Sequence, residues 1–413
     1  MTNFLPSINF ARLNEQLELL ASINRQEDGS CCRLALTDAD RDGRDLVVSW
    51  MRDAGLEIQI DRIGNIFGVR AGHEAGPPVM TGSHIDTVAT GGRYDGAYGV
   101  LAGLEVLRSL NDFGVKTRRP IAIGIFTNEE GARFQPDMMG SLVFAGGMAL
   151  DEALAVRAED GAILGDELAR IGYAGSIEIG SLRPHAFVEL HIEQGPILDR
   201  TNARLGAVEN LQGISWKRIT IRGTSNHAGT TPMNLRHDAG YCAARITTFL
   251  HDLANKMGGS QVATVGSLTL APNLVNVIAR KAVLTVDLRN TAEEKLREAE
   301  NRLDEMLKEL QCSEGVAIDC AVLARFSPVV FDERIVALIE NVARELQQPI
   351  RRLTSGAGHD AQMIARISPA AMIFVPSVAG VSHNPSEFTR PEDLENGANI
   401  LLHTLVKLSD PTN

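Results

Sequence analysis

Four short stretches of this chain are apolar almost without interruption: "VMTGSH" from residue 79, "IAIGIF" over 121–126, "AFVEL" over 186–190 and "MIFVP" over 372–376. A run such as "IAIGIF" cannot alternate between core and water, so it reads as a strand buried on both faces, as in a parallel sheet covered by helices. Each run stops at a loop that carries His, Asp or Glu. These loops are "HIDTVATGGRYDG", "TNEEGARF", "HIEQG" and "SVAGVSHNPSE". Behind the first loop, Val100, Leu104 and Leu107 recur at helical spacing. Open α/β sheets bind ligands just outside the carboxyl ends of their strands. The pattern therefore predicts an α/β fold, with a mixed, mostly parallel sheet flanked by helices and a site at its strand ends.

Residues 213–328 follow a different rhythm. A strand "SWKRITIRG" precedes a helix over about 238–257, then strands "ATVGSLTLAP" and "NVIARKAVLTVDLRN", a helix "TAEEKLREAENRLDEMLKEL" and a strand "GVAIDCAVLARF". Thr291 and Glu294 have the S/T-x-x-E spacing of a capping box at the start of that helix. The order β-α-β-β-α-β is the split βαβ pattern of a ferredoxin-like α+β domain. Because "MIFVP" resumes the first style, this block reads as an insertion. The expected division is a catalytic domain over 1–212 plus 329–413 and an inserted dimerisation or lid domain over 213–328. The edge strands of such a sheet can pair with a second copy, so a homodimer through 213–328 is expected.

Bulk properties exclude several classes. A formal charge of −12 argues against a nucleic-acid binder. No run reaches the 18 or so apolar residues of a membrane span, and "MTNFLPSINFARLNEQ" lacks the basic-then-apolar layout of a signal peptide. The five cysteines, Cys31, Cys32, Cys242, Cys312 and Cys320, show no CxxC spacing, which disfavours a disulfide framework or thiolate zinc site and points to a reducing cytoplasm. The phosphate-binding patterns GxxxxGK[ST] and GxGxxG are absent, as is the G-x-S-x-G elbow of serine hydrolases.

The chemistry-bearing residues at the strand ends are His84, Asp95, Glu129, Glu130, His191 and His383. Any one alone is more ordinary as a surface or satisfied core group; their joint placement at four strand ends points to a two-metal hydrolytic site. Two divalent ions roughly 3.5–4 Å apart can lower the pKa of a shared water from 15.7 toward about 7 and stabilise an oxyanion. Mixed His and carboxylate ligands suit Zn²⁺ or Mn²⁺, with Co²⁺ and Ni²⁺ also compatible. Asp95, flanked by glycines, is placed to bridge the ions. Of the pair Glu129 and Glu130, one would ligate while the other serves as general base. Asp86, two residues from His84, is expected to orient that imidazole.

Together "GSHIDT", "GGRYDGAYGV", "TNEEGARF", "ELHIEQG", "NHAGTTPM", "SGAGHDAQ" and "SHNPSE" resemble the amidohydrolases that cleave N-carbamoyl-L-amino acids. That branch also holds allantoate amidohydrolase and one type of β-ureidopropionase, within the di-metal aminoacylase and carboxypeptidase superfamily. The resemblance runs over roughly residues 30–408 in order. It implies that His84 and His191 hold one ion, Glu130 and His383 the other, with Asp95 bridging and Glu129 as the base. Superfamily peptidases and aminoacylases usually carry a carboxylate where this chain has His191, so "HIEQG" resembles the carbamoylase branch, with Gln194 as a substrate contact. The resemblance further implies that His227 stabilises the oxyanion in the neighbouring subunit's site, and that Asn276, Arg289 and Gly358 contact substrate. The implied reaction is hydrolysis of the ureido C–N bond of an N-carbamoyl-L-amino acid, a small-molecule substrate. Alternatives are allantoate, β-ureidopropionate and, more distantly, an N-acyl amino acid or peptide. His359 and Asp360 read equally well as a hydrogen-bonded structural pair. Met138 and Met139 would suit either an adaptable substrate pocket or the core.

Overall fold

The computed structural model describes residues 6–410, so the first five residues of the opening stretch read for a leader lie outside the described residues. It divides into two compact units, residues 1–209 with 330–413, and residues 210–329.

The first unit is built on a nine-stranded sheet. Its strands in chain order are β1 (Glu57–Ile60), β2 (Ile66–Arg70), β3 (Val79–Ser83), β4 (Ile121–Ile125), β5 (Ala186–Ile192) and β6 (Leu205–Leu211). After the second unit, whose strands are β7 (Gly213–Arg222), β8 (Val262–Ala271), β9 (Lys281–Asn290) and β10 (Ala317–Phe326), come β11 (Val329–Val330), β12 (Ile350–Ser355) and β13 (Ala370–Val375). The spatial order is β1-β2-β4-β3-β5-β13-β6-β11, with β12 also on β6. The sheet is mixed, and its parallel part is its centre. Strand β3 runs parallel to β4 and β5, and β5 runs parallel to β13. Antiparallel pairings flank that core, β2 on β4 and β6 on β13. The four central strands are the four apolar runs of the sequence. All of β3, β4, β5 and β13 is buried.

Alternation along β5 shows how both faces are covered. Leu190 turns toward the helix Pro391–Ser409, where it meets Gly397. Its neighbour Glu189 turns the other way and accepts a hydrogen bond from the Ala361 amide in the short helix Asp360–Ile364 (2.8 Å). Successive strand residues face opposite sides, so a central strand between two helical layers has to be apolar throughout, or have its polar groups satisfied. Glu189 is satisfied. Its other oxygen accepts from the Ser83 hydroxyl at 2.7 Å.

Two guanidinium groups are sealed in this unit. Arg33 donates to the main-chain oxygens of Ile85 (3.1 Å) and Leu20 (3.0 Å), so it grips the backbone between His84 and Asp86. Arg44 pairs with Asp40 at 2.9 Å and donates to the Gly64 carbonyl and the Thr127 hydroxyl, just ahead of Glu129. The N-terminal segment thus supports the loops after β3 and β4 from behind.

In the second unit the antiparallel sheet β10-β7-β9-β8 follows the ferredoxin-like order. Ile219 and Ile221 of β7 and Ala282, Leu284, Val286 and Leu288 of β9 point to one face. There they are buried with Ile246 and Leu250 of the helix Ala239–Met257 and Leu303 and Leu310 of the helix Glu293–Glu314. The capping box does not form. The second helix begins at Glu293 with Ala292 as its N-cap and no side-chain cap; instead Asn290 accepts from the Ala292 amide at 2.9 Å. The strand end overrides the local signal by placing Asn290 where Thr291 was expected to act. Strand β8 lies at the sheet edge with Val262, Leu268 and Leu270 exposed.

Removing one member of a buried ion pair leaves the other charge uncompensated, at a cost of about 3–5 kcal/mol. Asp40→Ala is therefore expected to lower the stability of the first unit by that amount in urea titrations, and Asp40→Ala/Arg44→Met to recover part of it. A loss under ~1 kcal/mol for Asp40→Ala would contradict the buried-pair reading.

Candidate metal centre

The ends of β3, β4, β5 and β13 converge, and each delivers one part of a cluster. His84 directly follows β3, and Asp95 lies between β3 and the helix Ala97–Asp112. Glu129 and Glu130 follow β4, His191 is the penultimate residue of β5, and His383 lies in the loop after β13. Three groups of three have ligand atoms within 4.8 Å of one another: His84, Asp95 and His191; Asp95, Glu130 and His383; and Glu189, His191 and His359. Asp95 belongs to the first two.

Its two oxygens divide between the groups. Oδ1 lies 3.2 Å from His191 Nε2 and 3.6 Å from His84 Nε2, whereas Oδ2 lies 3.3 Å from His383 Nε2. His383 Nε2 is in turn 3.4 Å from Glu130 Oε2. Each Nδ1 of the first pair faces a main-chain oxygen. His84 Nδ1 meets the Asp86 carbonyl at 2.9 Å, and His191 Nδ1 meets the Ile192 carbonyl at 2.8 Å. A carbonyl can only accept, so Nδ1 carries a proton and Nε2 is the nitrogen turned inward, where losing its own proton would leave a lone pair for an ion. Gly96, at φ +62°, makes this close packing possible, because a Cβ there would overlap the His84 ring. Its amide donates to His191 Nε2 at 3.1 Å.

The cluster is dense in charge. Burial alone would raise Asp95, but the imidazoles of His191, His383 and His84 hold it well below the usual carboxylate range. Burial would lower His84, yet the Glu129 charge and Asp95 outweigh it and the imidazole is raised well above its ordinary value. The hydrogen bond to Asp95 raises His383 to about 9. Burial and the Asp95 charge push Glu130 up to about 8, and burial with the charges of Asp360, Glu130 and Asp86 raises Glu129 well above the normal range. Inward imidazole nitrogens with a shared carboxylate form a donor set that fits two divalent ions of the Zn²⁺ or Mn²⁺ kind.

The remaining expected residues fall as follows. Glu129 is buried, with Oε2 3.3 Å from His84 Nε2. Asp86 touches His84 through its carbonyl; its carboxylate is 3.9 Å from the ring and instead accepts from the amides of Glu129 and Glu130, both at 3.3 Å. It therefore orients the loop after β4 as well as the imidazole. Gln194, held at φ +56°, donates to Asp95 Oδ2 at 2.8 Å. Gly358 lies against the Met138 side chain, and Met138 and Met139 are both fully buried in the core. His359 is buried and bonds Ser355 Oγ at 3.0 Å, not Asp360. Its ring stacks edge-on to His191 at 4.5 Å, and burial holds its pKa well below the ordinary value.

Three expected residues belong to the second unit. His227 is exposed, and its Nδ1 accepts from the Gly229 and Thr230 amides at 3.1 and 3.3 Å. Asn276 is tied to the same loop, its carbonyl accepting from the Ala228 amide at 3.0 Å. Arg289 on β9 is forked by Asp287 at 2.8 Å and lies 6.0 Å from the Trp216 ring.

Sequence reasoning passed over two buried carboxyls beside the cluster, Glu189 and Glu387. Glu189 interrupts the apolar run "AFVEL", and a lone carboxyl inside an all-buried strand was the available signal. Glu387 closes "SHNPSE", where nothing local distinguishes it from a solvated turn residue.

The chain matches the model of peptidase family M20/M25/M40 over residues 80–407. It is 40% identical over 404 residues to an N-carbamoyl-L-amino-acid amidohydrolase of Rhizobium meliloti, covering 98% of this chain and 97% of the relative. An allantoate amidohydrolase of Bacillus subtilis is 35% identical over 400 residues, 96% and 97% of the two chains. Among solved structures, an amidase of the hydantoinase/carbamoylase family from Burkholderia multivorans superposes with a TM-score of 0.91 at 42% identity, covering 98% of each chain. The protein is thus an enzyme that belongs to peptidase family M20/M25/M40 and, within it, to the hydantoinase/carbamoylase amidases.

Proposed function

We propose that this enzyme hydrolyses the ureido C–N bond of an N-carbamoyl-L-amino acid, giving the amino acid, carbon dioxide and ammonia, with two divalent ions per subunit. The observation that carries the reading is Asp95, whose two oxygens face two separate ligand groups at the ends of four parallel strands. His84 and His191 would hold one ion and Glu130 and His383 the other, with Asp95 shared; Zn²⁺ or Mn²⁺ suits the set best, with Co²⁺ and Ni²⁺ compatible. When bound, such ions lower the pKa of water and polarise the ureido carbonyl.

The chain's own groups do the rest. Glu129, buried with Oε2 3.3 Å from His84 Nε2, takes the proton of the attacking water and passes it to the leaving nitrogen. His227 accepts two amide hydrogens at Nδ1, so its neutral ring carries the proton on Nε2 and is a donor there. We assign that donor to the developing oxyanion. Gln194, Asn276, Arg289 and Gly358 are assigned to the substrate, Arg289 through the two-pronged grip of a guanidinium on the free carboxylate. The exposed apolar edge of β8 supports a homodimer through the second unit. Five free cysteines suit a reducing cytoplasm, and no helix among the described residues is long and apolar enough to cross a membrane. The similarity to an allantoate amidohydrolase supports allantoate as the second substrate reading.

Chelator-stripped protein is expected to be inactive, and reloading with Mn²⁺ or Zn²⁺ to restore ammonia release from N-carbamoyl-L-methionine but not from its D-enantiomer. Allantoate, β-ureidopropionate and N-acetyl-L-methionine complete the panel. Ammonia from allantoate alone would transfer the assignment to the second reading, and activity on the acetyl compound alone would overturn the carbamoylase reading. Glu129→Gln is expected to retain both ions by elemental analysis while turnover falls about 10²–10⁴-fold; near-normal turnover would remove Glu129 from the role of base. For His227→Ala, kcat should drop about 10²–10³-fold, and a change confined to KM would limit this residue to substrate binding.

A further inference from the structure

Glu387 is 2% exposed and belongs to none of the three ligand groups. Its Oε1 accepts from the amides of Tyr94 (2.9 Å) and Asp95 (3.3 Å), and its Oε2 accepts from the Ser382 hydroxyl (3.0 Å). That hydroxyl is also 3.1 Å from Asp95 Oδ2. One carboxylate thus joins the loop that carries Asp95 to the residue directly before His383. A second contact tightens the join. Gly92, three residues before Asp95, lies so close that a Cβ there would collide with the Glu387 side chain and with nothing nearer.

The two ligand groups that share Asp95 differ in what holds them. His84 and His191 sit at or beside strand ends, with side chains 2% and 1% exposed and Nδ1 fixed by the main chain. His383 sits in a loop at φ +53°, with a side chain 46% exposed. Its only other ties are Thr90 Oγ1 to its carbonyl at 3.2 Å and Gln194 Nε2 to its ring at 3.4 Å, among the described residues. The sheet orients the first group; the second needs a separate device.

We propose that Glu387 is a positioning residue for the ion assigned to Asp95, Glu130 and His383, clasping the Asp95 and His383 loops together. This rests on the di-metal reading above. The clasp works through hydrogen bonds, so the isosteric amide serves: in Glu387→Gln the new side chain would still accept from the two amides and donate to Ser382 Oγ, itself an acceptor.

The test is titration of the metal-free protein with Mn²⁺ alone, read calorimetrically and by the resonance of free Mn²⁺. Two Mn²⁺ should bind the wild type. Outer-shell partners typically change metal affinity 10–100-fold, so Glu387→Ala should weaken one ion at least tenfold and the other less than threefold, with Glu387→Gln close to wild type. The weakened ion should be the one lost in His383→Ala, and the double variant Glu387→Ala/His383→Ala should be no worse than His383→Ala. Gly92→Ala displaces the carboxyl without removing a hydrogen-bonding group and should reproduce the selective loss, which keeps the test available if Glu387→Ala does not fold. Equal weakening of both ions, no weakening, or a Gln variant as poor as Ala overturns the clasp. Uptake of fewer than two Mn²⁺ by the wild type overturns the di-metal reading, and the clasp with it.

Discussion

Asp95 is a buried carboxylate approached by three imidazoles, and the rest of the first unit can be read as the means of keeping it there. A carboxylate removed from water is costly unless it is paired and hydrogen-bonded. Here Oδ1 faces His84 and His191, Oδ2 faces His383, and the Gln194 amide and Ser382 hydroxyl add donors to Oδ2. No single element could supply those partners. They come from the loop after β3, from β5 and from the loops after β5 and β13, so the partnership exists only when these three strands stand side by side in parallel. Parallel strands need both faces covered, which explains why β3, β4, β5 and β13 are buried end to end while β1 is half-exposed.

Much of this was legible because it depends on pattern. A strand buried on both faces shows itself as an unbroken apolar run, and a loop that ends such a run with His or Asp shows where the chemistry lies. The six residues at the strand ends converge as that logic requires. What the sequence concealed is contact between segments far apart in the chain. Glu387 lies 292 residues from Asp95, and its meaning comes from the amide it accepts. Asp86 reads as a partner of its near neighbour His84, yet its carboxylate serves two amides more than 40 residues on. The Thr291–Glu294 spacing failed for a related reason. A capping signal is local and weak, and pairing of β9 with β7 up to Asn290 fixed where the chain could enter the helix. Local propensity gives way when tertiary placement sets the boundary.

The second unit shows a similar dependence on partners. Arg289 would read as an ordinary strand-end arginine, but Asp287 two residues earlier on the same face forks it, and the Trp216 ring on the neighbouring strand lies close by. A guanidinium fixed by one carboxylate has less rotamer freedom left to lose, which suits the substrate role proposed for Arg289. His227 is fixed in the same sense. Two amides donate to its Nδ1 and leave Nε2–H as the donor, as the role proposed for it requires.

The two buried carboxyls beside the cluster, Glu189 and Glu387, complete the physical argument. Both accept from a serine hydroxyl adjacent to a histidine of the cluster: Ser83 before His84, and Ser382 before His383. Both also accept from main-chain amides of another segment, Ala361 for Glu189 and Tyr94 with Asp95 for Glu387. The same arrangement recurs, built from unrelated parts of the chain. Bringing mobile lone pairs to one point loses conformational entropy, and a ligand already constrained loses less of it on binding an ion. On β3 and β5 the sheet supplies that constraint and Glu189 adds to it. In the loop of His383 there is no strand to share the task, and Glu387 is the carboxyl proposed to take the larger part.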